Sequence, residues 1–303
     1  MTHPLVDLAL LVVPGVIWGA SFLFIAEGLA AAAPNGVTFA RIAIGFLTLS
    51  LFRSARRPVA RADWAGTAAL GVLWFAFPFS MFPFAEQHVS SALTGMLNGA
   101  SPMFVAAVAA ILARRLPGRG TMAGLIIGLG GAVVMAWPAL GGSGVGAGSA
   151  LGIGLILAAL VSYGIALNVA RPLQQRNGAI PVIWRALGVA LLLTAPLGLP
   201  AVLDGSWSLR PALAMLGLGA GGTAIATILT ATAAGRMGAT KASVSAFVIP
   251  VVALLLGVVI RHEHVSAVSL VGAAICLAGA AVIRDPSVIR FRAFQRFQRV
   301  QPL

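Results

Sequence analysis

Ten apolar stretches, divided by short polar or glycine-rich breaks, fill nearly the whole chain. They cover residues 5–29, 34–53, 64–84, 89–113, 120–138, 149–170, 180–203, 211–235, 239–260 and 266–283, with breaks such as ARRPVARAD, RRLPGRG, GGSGVGAG, RPLQQRNGAIP and DGSWSLRP. A helix of ~20 apolar residues spans the hydrocarbon core of a bilayer. Only helices and closed barrels satisfy all their backbone groups there, and these runs are too long and continuous for barrel strands. The pattern predicts an all-α integral membrane protein with ten transmembrane helices.

Charge placement sharpens that count. Of the 20 lysines and arginines, 16 collect in alternate breaks and the tail. They are Arg53, Arg56, Arg57 and Arg61 after the second stretch, and Arg114, Arg115 and Arg119 after the fourth. Arg171 and Arg176 follow the sixth, Arg236 and Lys241 the eighth, and Arg284, Arg290, Arg292, Arg296 and Arg299 the tenth. Only Arg210 and Arg261 fall on the other side, while Arg41 and Arg185 lie inside stretches. A miscount by one helix would scramble this sorting, so the positive-inside rule predicts ten spans with both termini cytoplasmic. The opening MTHPLVDLALLVVPGVIWG has no basic leader and runs on past a signal-peptide core, so it reads as a retained first helix.

Composition excludes several classes. The chain has 303 residues, 59% hydrophobic and 9% charged, with a mean hydropathy of +1.00. A soluble domain carries roughly 25% charged residues, so this one has too few to cover a surface facing water. The net charge of +13 sits in the breaks rather than in a patch, which argues for a membrane topology signal and against nucleic acid. Cys276 is the single cysteine, so neither an internal disulfide nor a cysteine metal site is expected. The histidines are His3, His88, His262 and His264, and no HExxH, GxSxG or P-loop motif occurs. No cofactor, metal or enzymatic activity is expected.

The chain also repeats itself. TMAGLIIGLGGAVVM (121–135) aligns without gaps on SLVGAAICLAGAAVI (269–283) at an offset of 148, matching Gly124 with Gly272, Leu129 with Leu277 and Gly131 with Gly279. The same offset pairs Pro102 with Pro250 and Gly71 with Gly219, and small loop adjustments pair Trp18-Gly19 with Tyr163-Gly164 and Arg41 with Arg185. Each copy holds five helices, an odd number, so the second enters the membrane from the opposite side. The organisation predicted is a first repeat over 1–143, a second of inverted topology over 144–284, and a basic cytoplasmic tail over 285–303. Many secondary transporters use that architecture for alternating access.

The two five-helix halves, the Trp18-Gly19 and Tyr163-Gly164 pairs, Pro102 and Pro250, and EHVSAVSLVG from Glu263 to Gly272 resemble the EamA branch of the drug/metabolite transporter superfamily. Within it the chain is most similar to the YddG-type aromatic amino-acid exporters of bacteria. The resemblance covers residues from about 5 to 283. One departure is that the acidic position filled by Glu263 in the second half is Arg115 in the first. The resemblance implies export of small metabolites, aromatic or other neutral amino acids foremost, across a bacterial inner (plasma) membrane. It also implies a central cavity lined by helices 1, 3, 4, 6, 8 and 9. Multidrug or organic-cation export and nucleotide-sugar transport are the alternatives within the superfamily. Small-molecule substrate and membrane lipid are the expected partners of a monomer.

The residues offer candidates for such a cavity. On helix 3, Trp74, Phe77, Met81 and Phe84 fall on one face, a wall suited to aromatic groups or to lipid. Pro78 and Pro83 interrupt that helix, as hinges or as static kinks. Trp18 and Phe22 lie one turn apart on helix 1, and Tyr163 is the only tyrosine. A phenol at membrane depth needs a partner, which favours the interior. Ser91, Thr94, Asn98 and Ser101 form a polar stripe on helix 4 ahead of Pro102; helix 9 carries Ser243, Ser245 and Phe247 ahead of Pro250. Asn98 could bond either a neighbouring helix or a substrate. Thr223, Thr227 and Thr230 share a face of helix 8, where back-bonding is expected. Arg41 and Arg185 read as structural charges on peripheral helices rather than as carboxylate anchors.

Glu27 and Glu86 fall near outer helix ends and Asp7 near an inner one, so no acid is expected mid-helix, which leaves either facilitated transport down a gradient or coupling that no single residue advertises. Gly120, Gly124 and Gly128 on helix 5 and Gly272, Cys276 and Ala280 on helix 10 predict a close seam between the halves. In the tail, Phe291, Phe294, Phe297 and Val300 alternate with arginines, which suits an interfacial helix or a basic coil.

Overall fold

The computed structural model describes residues 4–141, 147–237, 242 and 245–284, and every regular element among them is helical. The first half contains α1 (Pro4–Gly28), α2 (Pro34–Ser50) and α3, which starts at Trp64–Leu70, passes through a π-helical stretch Gly71–Ala76 and ends as Phe77–Glu86. It continues with α4, in two segments Ser91–Asn98 and Ser101–Ala113, and α5 (Arg119–Gly141). The second half contains α6 (Ala147–Asn177), α7 (Ala179–Leu203) and α8, built from Leu209–Leu216, a π-helical stretch Gly217–Ile225 and Ala226–Met237. It ends with α9 (Ser245–Arg261) and α10 (Ala267–Arg284). Seven of these segments are long and apolar enough to cross a membrane on those criteria alone; α2, α9 and α10 are shorter.

The predicted stretches map onto these elements with two differences. The sixth extends to Asn177 instead of residue 170, because Arg176 and Asn177 reach Asp63, at 2.6 Å each. The fourth is interrupted at Gly99 and Ala100, one residue after Asn98. Ser243 and the basic tail lie outside the described residues.

Local chemistry sets the helix ends. Ser90 caps α4, accepting a bond from Leu93 N at 3.2 Å. Pro34 and Pro102 stand in first turns, where a missing N–H costs nothing. Arg114 closes α4 in the left-handed region, at φ 50°.

Large apolar side chains face outward, among them Leu192 (74% exposed) and Leu197 (69%) on α7, with Val133 on α5 and Leu255 on α9. A surface this apolar is unsuited to water and suits lipid. Inside, one core cluster joins Phe22 and Ile25 of α1 with Phe82, Met96, Met135, Ile156 and Leu160, and so draws on both halves.

The principal helix neighbours form a pattern that maps onto itself when α1–α5 and α6–α10 are exchanged. α1 packs on α9 as α6 packs on α4; α2 packs on α8 as α7 packs on the π stretch of α3. The pairs α2–α7, α4–α9 and α5–α10 are their own counterparts. The α5–α10 contact is the most extensive between two helices among the described residues. A Cβ added to Gly124 would stand 2.8 Å from Gly279 O, and Cβ atoms on Gly131, Gly272 and Gly279 would strike the backbone nitrogens of Cys276, Met135 and Gly128. Ser269 Oγ donates to Met135 O across the same seam, at 2.8 Å. Small residues let two backbones meet, as the glycine spacing predicts.

Candidate functional site

At the centre lies a cavity of about 200 Å³. Its walls come from α1 (Trp18, Ser21, Phe22), α2 (Arg41), α3 (Trp74, Phe75, Phe79, Phe82), α4 (Asn98, Ser101), α6 (Tyr163, Leu167), α8 (Gly222, Thr223, Thr227) and α9 (Ile249). Among the described residues, seven aromatic side chains therefore surround one cation, four serine and threonine hydroxyls and an amide.

Arg41 is that cation. It is 7% exposed, its guanidinium carbon lies 3.5 Å from the centre of the Phe79 ring, and Nε donates to Thr223 Oγ1 at 3.1 Å. Thr223 bonds back to Leu218 O at 3.2 Å, five residues earlier, a register the π geometry of α8 permits. A guanidinium stacked on a ring keeps its outer N–H edge available for a planar anion, and among the described residues neither Nη of Arg41 has a hydrogen-bond partner. Asn98 accepts from Ser101 Oγ at 3.2 Å on Oδ1, and its Nδ2 donates to no group among the described residues. Tyr163 packs its ring 6.0 Å from that of Phe82, and its hydroxyl likewise makes no bond there. Thr227 and Thr230 bond back along their own helix at 2.8 Å, as expected.

The two π stretches shape this site. In α3, Phe77 N bonds Val72 O, five residues back; next in that register stands Pro78, which has no N–H. Leu73 O is left without its helical donor, and Ser162 Oγ of α6 donates to it at 2.7 Å. In α8, Ala226 N bonds Gly221 O, and the following carbonyl, Gly222 O, accepts from Trp18 Nε1 of α1 at 2.8 Å. Each half thus donates a side-chain bond to a carbonyl in the other's π stretch, from a side chain next to or at the paired Trp18 and Tyr163. Pro83 frees Phe79 O in the same way, and Thr38 Oγ1 sits 3.1 Å from it.

Several predicted positions move as a result. Trp18, Phe22, Trp74, Asn98 and Tyr163 all reach the cavity. Of the predicted face Trp74–Phe77–Met81–Phe84 only Trp74 lines it: the π turn adds a residue and rotates α3, so the cavity side is Trp74, Phe75, Phe79 and Phe82. Phe77 is 40% exposed on the outer surface, and Met81 packs against the core. Phe247 also packs into the core beside the cavity, which α9 reaches through Ile249. Pro78, Pro83 and Pro250 are buried at helix breaks or within helices, Pro102 sits half-buried in the first turn of the second α4 segment, and Pro78 and Pro83 have their freed carbonyls bonded. Arg41 corrects a larger error. Helix 2 is not peripheral at this point, because α2 is wedged against α8 and brings Arg41 inward. Its repeat mate Arg185 does stay outside, 5.5 Å from the Trp184 ring and bonded to the carbonyls of Ala55 and Pro181.

Charge clusters close both ends of the bundle. At one, Arg210 and Arg261 converge on the buried Glu27, at 2.6 and 3.1 Å. Arg261 also meets Glu263, which accepts from Ser91 N, Ser91 Oγ and Ala92 N at 2.7–3.1 Å and caps α4 from the other half. At the other end, Asp63 takes Arg176 and Asn177, and Asp7 takes Arg236 at 3.0 Å. Glu27 and Glu86 stand at helix ends, as expected, but neighbouring helices cover those ends: Glu27 is buried, and both oxygens of Glu86 are enclosed without a partner among the described residues.

Apolar helices wrapped around a polar and aromatic cavity define an integral membrane protein. Comparison with known proteins gives the class its name. The EamA-like transporter family matches this chain twice, over residues 6–137 and 150–284, and the chain belongs to that family of the drug/metabolite transporter superfamily. Its members are transporters, not enzymes. A probable terminal-alkyne amino-acid exporter of Streptantibioticus cattleyicolor is 27% identical over 288 residues, spanning 93% of this chain and 94% of its own length. The uncharacterized transporter YdfC of Bacillus subtilis is 27% identical over 270 residues, 87% of this chain and 86% of its own. A solved structure known only as "Crystal structure of protein" superposes with a TM-score of 0.62 at 22% identity, covering 93% of this chain and 96% of that one, a likeness of fold alone.

Proposed function

We propose that this transporter exports amino acids with aromatic or other apolar side chains, by alternating access around the central cavity. The observation that carries the reading is Arg41, the one cation among the described residues that line an aromatic-walled space. Its free Nη edge suits a carboxylate in two parallel bonds. Trp18, Phe22, Trp74 and Phe82 suit the apolar side chain, and Asn98 Oδ1, the Tyr163 hydroxyl and the ring faces suit an ammonium group. A volume of about 200 Å³ favours a solute of amino-acid size. Drug-sized ligands occupy roughly 300–1,000 Å³, and a nucleotide sugar would want several cations. A relative named as an amino-acid exporter supports the same substrate class.

The transport architecture we propose is ten spans, α1 to α10, in two five-helix repeats of opposite topology, acting as a monomer in a bacterial inner membrane with both termini cytoplasmic. Two observations support it: the neighbour pattern that survives exchange of the halves, and the end pairings Asp7–Arg236, Asp63–Arg176 and Glu27–Arg210–Arg261, each of which joins ends that ten alternating helices would put on one side. Reporter fusions at residues 57, 116, 143 and 206 test the topology. Fusions at 143 and 116 reporting the same side would overturn it. For function, purified protein in liposomes should exchange radiolabelled phenylalanine, tryptophan or propargylglycine for unlabelled amino acid. Exchange of ethidium or UDP-glucose in place of amino acids would overturn the substrate class.

A further inference from the structure

Glu86 ends α3 on the same side as the Glu27 cluster, and the cavity mechanism above does not use it. Both of its carboxylate oxygens are shut away from solvent, and neither has a hydrogen-bond partner among the described residues. Its surroundings differ from those of the other acids at the ends of the bundle. Asp7, Glu27, Asp63 and Glu263 are each paired with arginine. Around Glu86, Arg41 on α2 and Arg261 and Glu263 at the end of α9 stand within electrostatic range but not within bonding distance. On α6 the titratable group at the cavity is Tyr163. On α1 it is Glu27, already committed to Arg210 and Arg261, and α4 offers only hydroxyls and an amide. Among the described residues no donor meets either oxygen, so a charged carboxylate there would be left unbonded.

We propose that Glu86 is a proton-binding site between the cavity and the outer end of the bundle. The conformation described carries the neutral acid, and the carboxylate forms when the Glu27–Arg261–Glu263 cluster parts and admits water. One proton from the outer phase joins one carboxylate oxygen as that end closes again, and no other bond changes. Closure is thereby linked to external pH. The inference rests on the transporter reading for its place in the cycle, whereas the proton site itself can be tested without flux.

The first experiment treats the purified full-length protein with dicyclohexylcarbodiimide, which reacts with protonated carboxyl groups in apolar surroundings. Peptide mass spectrometry should find the adduct on Glu86, decreasing as pH rises, and none at that position in Glu86→Gln. Absence of an adduct at Glu86 overturns the site, whatever flux is seen. The second measures amino-acid exchange in liposomes against external pH. The wild type should change by up to about tenfold per pH unit, the limit for one proton, and Glu86→Gln should be flat. Labelling at Glu86 with equal pH dependence in both proteins would leave the site standing and overturn its link to closure. If neither protein moves any amino acid, the functional reading fails and the carbodiimide result still decides the proton site.

Discussion

Replacing Arg41 by methionine separates an anchor for substrate from a charge retained for the fold. In a buried ion pair, removing one partner strands the other and costs about 3–5 kcal/mol. Arg41 has no such partner: it bonds Thr223 through Nε, lies on the Phe79 ring, and forms no salt bridge among the described residues. Thr223 keeps its bond to Leu218 O when the guanidinium leaves. What the fold loses is one charge-assisted hydrogen bond, about 1.5–3 kcal/mol, and a ring contact of about 0.5–2 kcal/mol. What it gains is release from burying a charge, several kcal/mol on the same scale. Methionine has a similar reach and no charge, so thermal stability in detergent should be unchanged or raised. Substrate should behave oppositely. Losing a charge-assisted contact of about 1.5–3 kcal/mol weakens binding roughly 10- to 150-fold, and lysine, which keeps the charge without the fork, should fall between. The assay is half-saturation of amino-acid exchange in liposomes, alongside thermal unfolding of the same preparations. An unchanged half-saturation, or a lower unfolding midpoint with transport affinity intact, would refute the reasoning.

Other substitutions test the scaffold. Gly131→Leu should cost at least about 1–3 kcal/mol by overpacking, seen as a lower unfolding midpoint, because its Cβ would strike the α10 backbone at Cys276. Ser162→Ala leaves Leu73 O without a donor beside Pro78, and should cost about 1–3 kcal/mol in the same measurement. Trp18→Phe removes the bond to Gly222 O and should lower stability by about 1 kcal/mol while altering substrate selectivity, since that ring also lines the cavity. Glu263→Ala uncaps α4 and should cost about 0.5–2 kcal/mol, with raised hydrogen exchange at Ser91 and Ala92.

Much of the site could be read from residue type. Trp18, Trp74, Asn98 and Tyr163 are polar or amphipathic groups at membrane depth, and such groups have few places to go but inward. Phe77 and Met81 misled because helical spacing assumes an α-helix throughout. The π turn that rotates α3 has a signal only in hindsight, in Gly71 and Pro78 and in the matching Gly219 of α8. The surroundings of Arg41 and Glu86 were not legible for another reason. Their positions within helices 2 and 3 were visible, but not which neighbours would cover them.

The sequence alone determined what a bilayer demands locally: apolar lengths, an all-helical chain, the doubling of its pattern and the glycine seam between α5 and α10. Those are consequences of solvent and of residue size, which act position by position. Which carbonyls the prolines leave open and which side chains fill them, which of two paired arginines turns inward, and which acid is enclosed were decided by tertiary structure. Each depends on a partner more than 30 residues away, and a free energy shared between distant groups has no signature in either group alone.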